Sequence, residues 1–381
     1  MKSPPLILIA DDNPANVEIF QMRLEANGYA IITAVDGEDA LRKARDRLPD
    51  LVLLDVMMPK KDGLAVCREI KSDPSLPFMP VIMVTAKAES KDVVAGLESG
   101  GDEYLTKPVD HAALVSRVKS MLRIKDLHDT VLQQSARLKF QLETATKVQS
   151  LFWPKLPVLK GGSRVWAVSV PAAYVGGDFY DVIALPDGSL LVYVADVSDK
   201  GVPAALIMAA LSTRIRSEAQ QQHEIGELVG SINASTCRLI SEEGFFITIV
   251  VGRYWPGSGR IQVLTAGHPP PLWTGDSGSR KLNVAGGIAL GVSPEARYEK
   301  SELIIGPGES VLFYSDGILE ARNVKGELLG AERLVGLLAE VKGPPWGPEL
   351  LEAVRLWQAD SPAEDDLTML EIWRECSEAG S

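Results

Sequence analysis

The sequence has little cysteine, no run of basic residues and no long apolar run. Cys67, Cys237 and Cys376 are the three cysteines in 381 residues. Odd in number and far apart, they fit neither a disulfide framework nor a zinc site, and the expected compartment is the reducing cytoplasm. The formal net charge is −12. With no cluster of Lys and Arg, nucleic acid and anionic membrane surfaces are excluded as general partners. No segment approaches the roughly 18 consecutive apolar residues of a membrane span. The N-terminus runs from Met-Lys-Ser-Pro-Pro straight into Leu6–Ala10 and acidic residues, so no signal peptide is expected. The length predicts about two or three domains, each able to bury its own core.

What is present divides in three. Residues 6–122 alternate short apolar runs with segments of helical periodicity, the pattern of a parallel sheet covered by helices. Strands are expected at Leu6–Ala10, Ala30–Ala34, Leu51–Leu54, Val81–Val84 and Glu103–Leu105, with helices at Asn16–Asn27 and Glu38–Arg47. This is a (βα)5 doubly wound domain, whose function collects at the carboxyl ends of its strands. Asp11, Asp12, Asp55, Thr85 and Lys107 all fall there.

From about Ser120 to Phe152 the chain lacks Gly and Pro, and Ile124, Val131, Leu138, Ala145 and Phe152 recur every seven residues. A helix with one apolar stripe follows, either self-pairing as a parallel coiled-coil homodimer or packed on its own domains. Gln134 and Gln141 interrupt the seam, and Pro154 and Pro157 end the helix.

The remainder is rich in strands, expected at Arg164–Pro171, Ser189–Ala195, Phe245–Tyr254, Arg260–Thr265, Ser310–Tyr314 and Leu367–Trp373. Asp187-Gly188 signals a hairpin. Helices are expected near Val202–Ser217, Glu224–Ile240, Ala331–Val341 and Pro348–Gln358. Strands grouped apart from helices imply an α+β domain of stacked antiparallel sheets with helices outside.

The two ends of the chain carry opposite phosphate chemistry. A carboxylate accepts a phosphoryl group only when a divalent cation neutralises the incoming charge. Asp11, Asp12 and Asp55 supply such an oxygen-rich site, with Thr85 placed to bond the new group and Lys107 to pair with it. Hydrolysis of a phosphate ester instead needs an activated water between cations. Asp178, Asp196, Asp316 and Asp365 each stand where a strand-like run begins or ends, beside small residues that let a phosphate approach. An isolated Asp-Gly pair is ordinarily a turn; four aspartates at strand ends in one region point to a two-metal cluster.

Residues 5–123 resemble a response-regulator receiver domain. The segments Ile9-Ala-Asp-Asp-Asn13, Leu53-Leu-Asp-Val-Met-Met-Pro-Lys-Lys-Asp-Gly63, Val84-Thr-Ala86 and Tyr104-Leu-Thr-Lys-Pro108 carry the likeness. It implies phosphorylation at Asp55 by a sensor histidine kinase or phosphotransfer protein. It also implies Mg2+ on Asp12, Asp55 and the Met57 carbonyl with Asp11 assisting, a Thr85–Tyr104 switch pair, and a cis Lys107-Pro108 peptide.

Residues from about 143 to 373 resemble the SpoIIE/RsbU-like branch of the PPM-type serine/threonine phosphatases related to protein phosphatase 2C. Gly176-Gly-Asp-Phe-Tyr-Asp181, Ala195-Asp-Val-Ser-Asp-Lys-Gly201, Tyr314-Ser-Asp-Gly317 and Asp365-Asp-Leu-Thr368 carry it, with Val148-Gln-Ser-Leu151, Thr265-Ala-Gly-His-Pro-Pro270 and Leu290-Gly-Val292 alongside. The resemblance implies two Mn2+ or Mg2+ ions. Asp196 would bridge them with the Val197 carbonyl on one, Asp316 and Asp365 would hold the other, and Asp178 would bind directly or through water. Water would attack phosphorus in line, with no covalent enzyme intermediate. Asp181, Asp199 and Asp366 are weaker candidates, and His268 reads as a loop-stabilising residue before a catalytic one. Gly176-Gly-Asp-Phe also echoes the diguanylate cyclase signature, but position 179 is Phe where that family has an acidic ligand.

The expected organisation is a receiver at 1–123, a helical linker at 124–153, a phosphatase domain at 154–375 and a tail at 376–381. The implied substrate is a phosphorylated anti-sigma-factor antagonist of the STAS type, in partner switching. The competing class is a non-catalytic, phosphatase-like adaptor whose partner binding the receiver controls.

Overall fold

The computed structural model describes residues 2–85, 100–221, 224–240, 244–340, 343–359 and 361–376. Ala86, Val341 and most of the expected tail lie outside them. Two compact units divide the chain, Met1–Lys139 and Phe140–Ser381.

The first unit holds β1 (Leu6–Ala10), α1 (Pro14–Glu25), β2 (Ala30–Ala34), α2 (Gly37–Arg47), β3 (Leu51–Asp55), α3 (Gly63–Ser72), β4 (Val81–Thr85) and β5 (Glu103–Thr106). The strands form one parallel sheet in the order β2-β1-β3-β4-β5. Because β1, β3 and β4 are buried on both faces, their sequences are nearly unbroken Leu, Ile and Val. One core packs Leu8, Val52, Leu54 and Met83 under α2 and α3; the other packs Ile7, Ile9, Leu53 and Val84 under α1 and the start of the next helix. Side chains of Asn13, Asp36 and Asp62 cap the three helices, satisfying N–H groups that have no partner within the helix.

That next helix, α4, runs unbroken for 39 residues from His111 to Gln149, roughly 58 Å at the α-helical rise. It begins where Asp110 accepts from the Ala113 N–H, just past the cis Lys107-Pro108 peptide. At Arg123, the expected boundary, the helix is continuous. Lys125 is buried and paired with Asp129 at 2.6 Å, and the His128 ring lies 4.4 Å from Phe78. Beyond, the heptad residues Val131 and Leu138 are exposed. A 3-10 turn at Ser150–Phe152 ends the helical path before Pro154.

The second unit is a sandwich. Its strands are β6 (Ser163–Val170), β7 (Phe179–Ala184), β8 (Leu190–Val197), β9 (Ile247–Trp255), β10 (Arg260–Ala266), β11 (Leu272–Gly275), β12 (Gly278–Lys281), β13 (Gly286–Gly287), β14 (Ser301–Ile304), β15 (Ser310–Tyr314) and β16 (Leu367–Arg374). One sheet has the order β13-β10-β9-β8-β7, with β14 also paired to β10; the other is β12-β11-β15-β16-β6. Pairing is antiparallel except between β10 and β13. Val192, Val194, Val250 and Ile261 of the first sheet meet Val311, Phe313, Leu370 and Ile372 of the second. Helices α5 (Val202–Ala219) and α6 (Ile225–Ile240) cover the first sheet, and α8 (Gly330–Glu340) and α9 (Gly347–Gln358) cover the second. The short α7 spans Gly317–Glu320. Among the described residues, no helix is long and apolar enough to cross a membrane.

Candidate functional site

In the first unit, carboxylate oxygens of Asp11, Asp12 and Asp55 lie within 4.8 Å of one another. β1 and β3 are neighbours, so their adjacent carboxyl ends bring these residues together. Asp11 is buried, its Oδ1 accepting from the Asn13 N–H at 2.9 Å, whereas Asp12 is exposed. Lys107 Nζ donates to Asp11 Oδ2 and Asp55 Oδ2, both at 2.7 Å. Burial raises the Asp55 pKa first, and the Asp11 charge adds to this against the pull of Lys107. Burial alone would lower the Lys107 pKa, but its two carboxylate partners raise it. Three carboxylates, two of them bonded to one ammonium, fit a divalent cation by their donor chemistry. Thr85 is buried at the end of β4, its carbonyl accepting from Lys107 N–H at 2.7 Å, and Tyr104 is half-buried on β5. Met57 is 71% exposed two residues past Asp55.

In the second unit the acidic residues come from both sheets. Asp178 precedes β7, Asp196 is next to last in β8, Asp316 follows β15 and Asp365 precedes β16. Asp178 is buried, and its Oδ2 has no hydrogen-bond partner among the described residues. Burial, then the Asp196 charge, drives the Asp178 pKa well up. Burial and the charge of Asp316, with smaller contributions from Asp365 and Asp366, raise Asp196 to about 7. Burial, then Asp365 and Glu320, raise Asp316. Mutually repelling carboxylates with an orphaned buried oxygen are what a cation site looks like without its charge. The donor set therefore fits a divalent metal, although these four residues do not form a triad as tight as that of Asp11, Asp12 and Asp55. Val197, whose carbonyl completes the expected ligands, is buried at the end of β8.

Two glycines make this convergence possible. A Cβ on Gly317 would lie 2.0 Å from the Asp366 carbonyl, so the Asp316 and Asp365 segments touch backbone to backbone. A Cβ on Gly176 would lie 2.2 Å from Asp366 Oδ2. Asp366 itself accepts from Ala172 N–H at 2.8 Å and Asp178 N–H at 3.3 Å, holding the loop that carries Asp178.

Asp181 lies apart from the cluster. Its buried carboxylate takes two hydrogen bonds from Arg216, at 2.6 and 2.9 Å. Asp199 is exposed at φ 77°, its carboxylate bonded to the next N–H. His268 is buried, with Nε2 3.0 Å from the Tyr314 carbonyl and Nδ1 2.7 Å from Thr248 Oγ1. A carbonyl only accepts, so Nε2 carries the proton and Nδ1 accepts from the hydroxyl. Burial lowers its pKa to about 3, and the ring ties the β10–β11 loop to β15. Sequence reasoning missed two polar residues here. Lys200 Nζ is 3.1 Å from Asp365 Oδ1, and Gln149 bonds the backbone of Gly176. The Asp-Lys-Gly and Val-Gln-Ser-Leu segments contained both, but nothing in their spacing assigned the side chains.

Comparison with known proteins finds a relative for each unit. The family described as "Response regulator receiver domain" matches residues 7–119, and that described as "Stage II sporulation protein E (SpoIIE)" matches residues 186–375. The response regulator PleD of Caulobacter vibrioides is 45% identical over 130 residues, which is 34% of this chain and 29% of PleD. The chain thus spans less than a third of that relative's length. The crystal structure of the RsbU and RsbW domains of Rv1364c from Mycobacterium tuberculosis is similar at 28% identity and TM-score 0.51, over 58% of this chain and 62% of that one. The SiaA-PP2C domain of Pseudomonas aeruginosa shares the fold at 19% identity and TM-score 0.55, over 64% of this chain and 98% of that domain. The chain carries a response regulator receiver domain, joined to a SpoIIE-type domain of the PPM phosphatases.

Proposed function

We propose that the chain is a two-component response regulator, phosphorylated on Asp55, whose output is a metal-dependent phosphoserine/phosphothreonine protein phosphatase. The observation that carries the enzymatic reading is the orphaned Oδ2 of buried Asp178 beside Asp196, with Asp316 and Asp365 close enough to raise pKa values. An adaptor surface gains nothing from buried, mutually repelling carboxylates, which cost stability unless a cation joins them. Two Mn2+ or Mg2+ ions would supply Lewis acidity and an activated water. Asp196 would contact both, Asp316 and Asp365 one, and Asp178 would bind directly or through water, with the Val197 carbonyl completing the set.

In the receiver, Asp12, Asp55 and the Met57 carbonyl would hold Mg2+ with Asp11 assisting. Lys107 would stay on the new phosphoryl group as a point charge, and Thr85 with Tyr104 would register it. A histidine kinase or phosphotransfer protein would be the donor. The exposed heptad residues of α4 support a homodimer through that helix, which would carry the receiver state. The substrate proposed is a phosphorylated STAS-type anti-sigma-factor antagonist, as the resemblance to the SpoIIE/RsbU-like branch implies. The boundaries proposed remain 1–123, 124–153, 154–375 and 376–381, as functional rather than compact units.

The test incubates the full chain with a phosphoserine form of a STAS protein and Mn2+, with and without a phosphoryl mimic on the receiver. Phosphate release that changes with the mimic and disappears in Asp196→Asn is expected. A stable complex that leaves the substrate phosphorylated with every cation would establish the adaptor instead.

A further inference from the structure

Gln149 is the last residue of α4, and it is buried. Its Nε2 donates to the Gly176 carbonyl at 2.7 Å, and its Oε1 accepts from the Gly176 N–H at 3.3 Å. One side chain therefore satisfies both backbone polar groups of a single residue. One turn earlier, on the same helix face, the Thr146 hydroxyl meets the Tyr174 carbonyl. On its other side Gly176 abuts Asp366 Oδ2, the atom that accepts from the Asp178 N–H. The Gly176 backbone is thus gripped between the helix end and Asp366, two residues before the carboxylate with the orphaned oxygen. A cavity of about 320 Å³, lined by Val148, Phe152, Val175 and Leu206 among others, separates the helix end from α5.

We infer that Gln149 is a positioning residue for the Asp178 arm of the cluster, so that the seating of the helix end sets the affinity of the site for metal. The inference rests on the metal-site reading given above. Partners that orient a metal ligand at one remove typically change metal affinity by about 10–100-fold when lost. Gln149 acts at that remove, through Gly176 and Asp366.

The test measures Mn2+ binding by electron paramagnetic resonance on the full chain, with Asp12→Asn in every variant to silence the receiver site. Gln149→Met keeps length and volume and removes the amide; Gln149→Asn keeps the amide one methylene short. Both are expected to raise the dissociation constant about tenfold or more. Val148→Ala, which lines the cavity without bonding the loop, is expected to stay within about twofold of the parent. With a chromogenic phosphate ester, the Mn2+ activation constant should rise while kcat at saturating Mn2+ changes little. Parental affinity in a folded Gln149→Met would overturn the inference, and so would equal weakening by Val148→Ala. Should Gln149→Met not fold, Gln149→Asn takes its place, with weakened binding expected and parental affinity overturning the inference. If Asp196→Asn leaves Mn2+ binding unchanged, the cluster itself is misassigned and the inference falls with it.

Discussion

His268→Leu should destabilise the second unit in a manner that depends on pH. The ring is fully buried and serves two partners, the Thr248 hydroxyl and the Tyr314 carbonyl. Leucine leaves both without a partner, which costs about 3 kcal/mol at pH 7.5. The wild-type residue itself becomes a liability in acid. Its pKa is about 3 when folded, against 6.5 as the ordinary value, so the unfolded chain takes up a proton that the folded one refuses. The stability this histidine contributes is complete above pH 6.5 and is lost as pH falls toward 3. By linkage, about 2 kcal/mol is gone at pH 5. The difference between wild type and His268→Leu should therefore shrink from about 3 to about 1 kcal/mol between pH 7.5 and pH 5. Carboxylates common to both proteins cancel in that difference. All seven tryptophans lie between Trp153 and Trp373, so urea unfolding followed by tryptophan fluorescence reports on this unit alone. Chelator removes stabilisation by bound cations. A gap that stays constant across this range would refute a neutral, doubly bonded His268.

Arg216→Met should cost about 3 kcal/mol in the same assay, because it leaves the Asp181 carboxylate, which is 1% exposed, without a countercharge, held by the Val182 N–H at 2.8 Å and the Tyr193 hydroxyl at 3.3 Å. A loss below about 1 kcal/mol would mean that water reaches Asp181 readily. Asp55→Asn should abolish phosphoryl incorporation from a small-molecule phosphodonor, as read on phosphate-affinity gels, because Asp55, bonded by Lys107, is the proposed acceptor. Incorporation that persists at the wild-type level would place the acceptor elsewhere.

Much of this fold was legible because period and burial agree. Leu6–Ala10 and Ser310–Tyr314 are apolar runs that become fully buried strands with the expected bounds. The Gly- and Pro-free run marked the long helix, but its start at His111 was hidden because the last receiver helix and the linker share one uninterrupted periodicity. β11 to β14 were not expected. They are two to four residues long, set among glycines and serines, and owe their form to pairing with β10, β15 and, for β12, with β11 rather than to propensity. The candidate carboxylates were legible as motifs because each marks a strand end. Asp366 and Gln149 were not legible in these roles, since both act through the backbone of the Gly176 loop, which no side-chain pattern encodes.

Hydrolysis of a chromogenic phosphate ester by the full chain with Mn2+, compared with Asp196→Asn, tests the enzymatic claim most directly. Loss of the carboxylate proposed to contact both cations should remove several kcal/mol of transition-state stabilisation, a fall in kcat of about a thousandfold. Equal rates in the two proteins would contradict the account, as would no hydrolysis with any divalent cation or phosphoprotein.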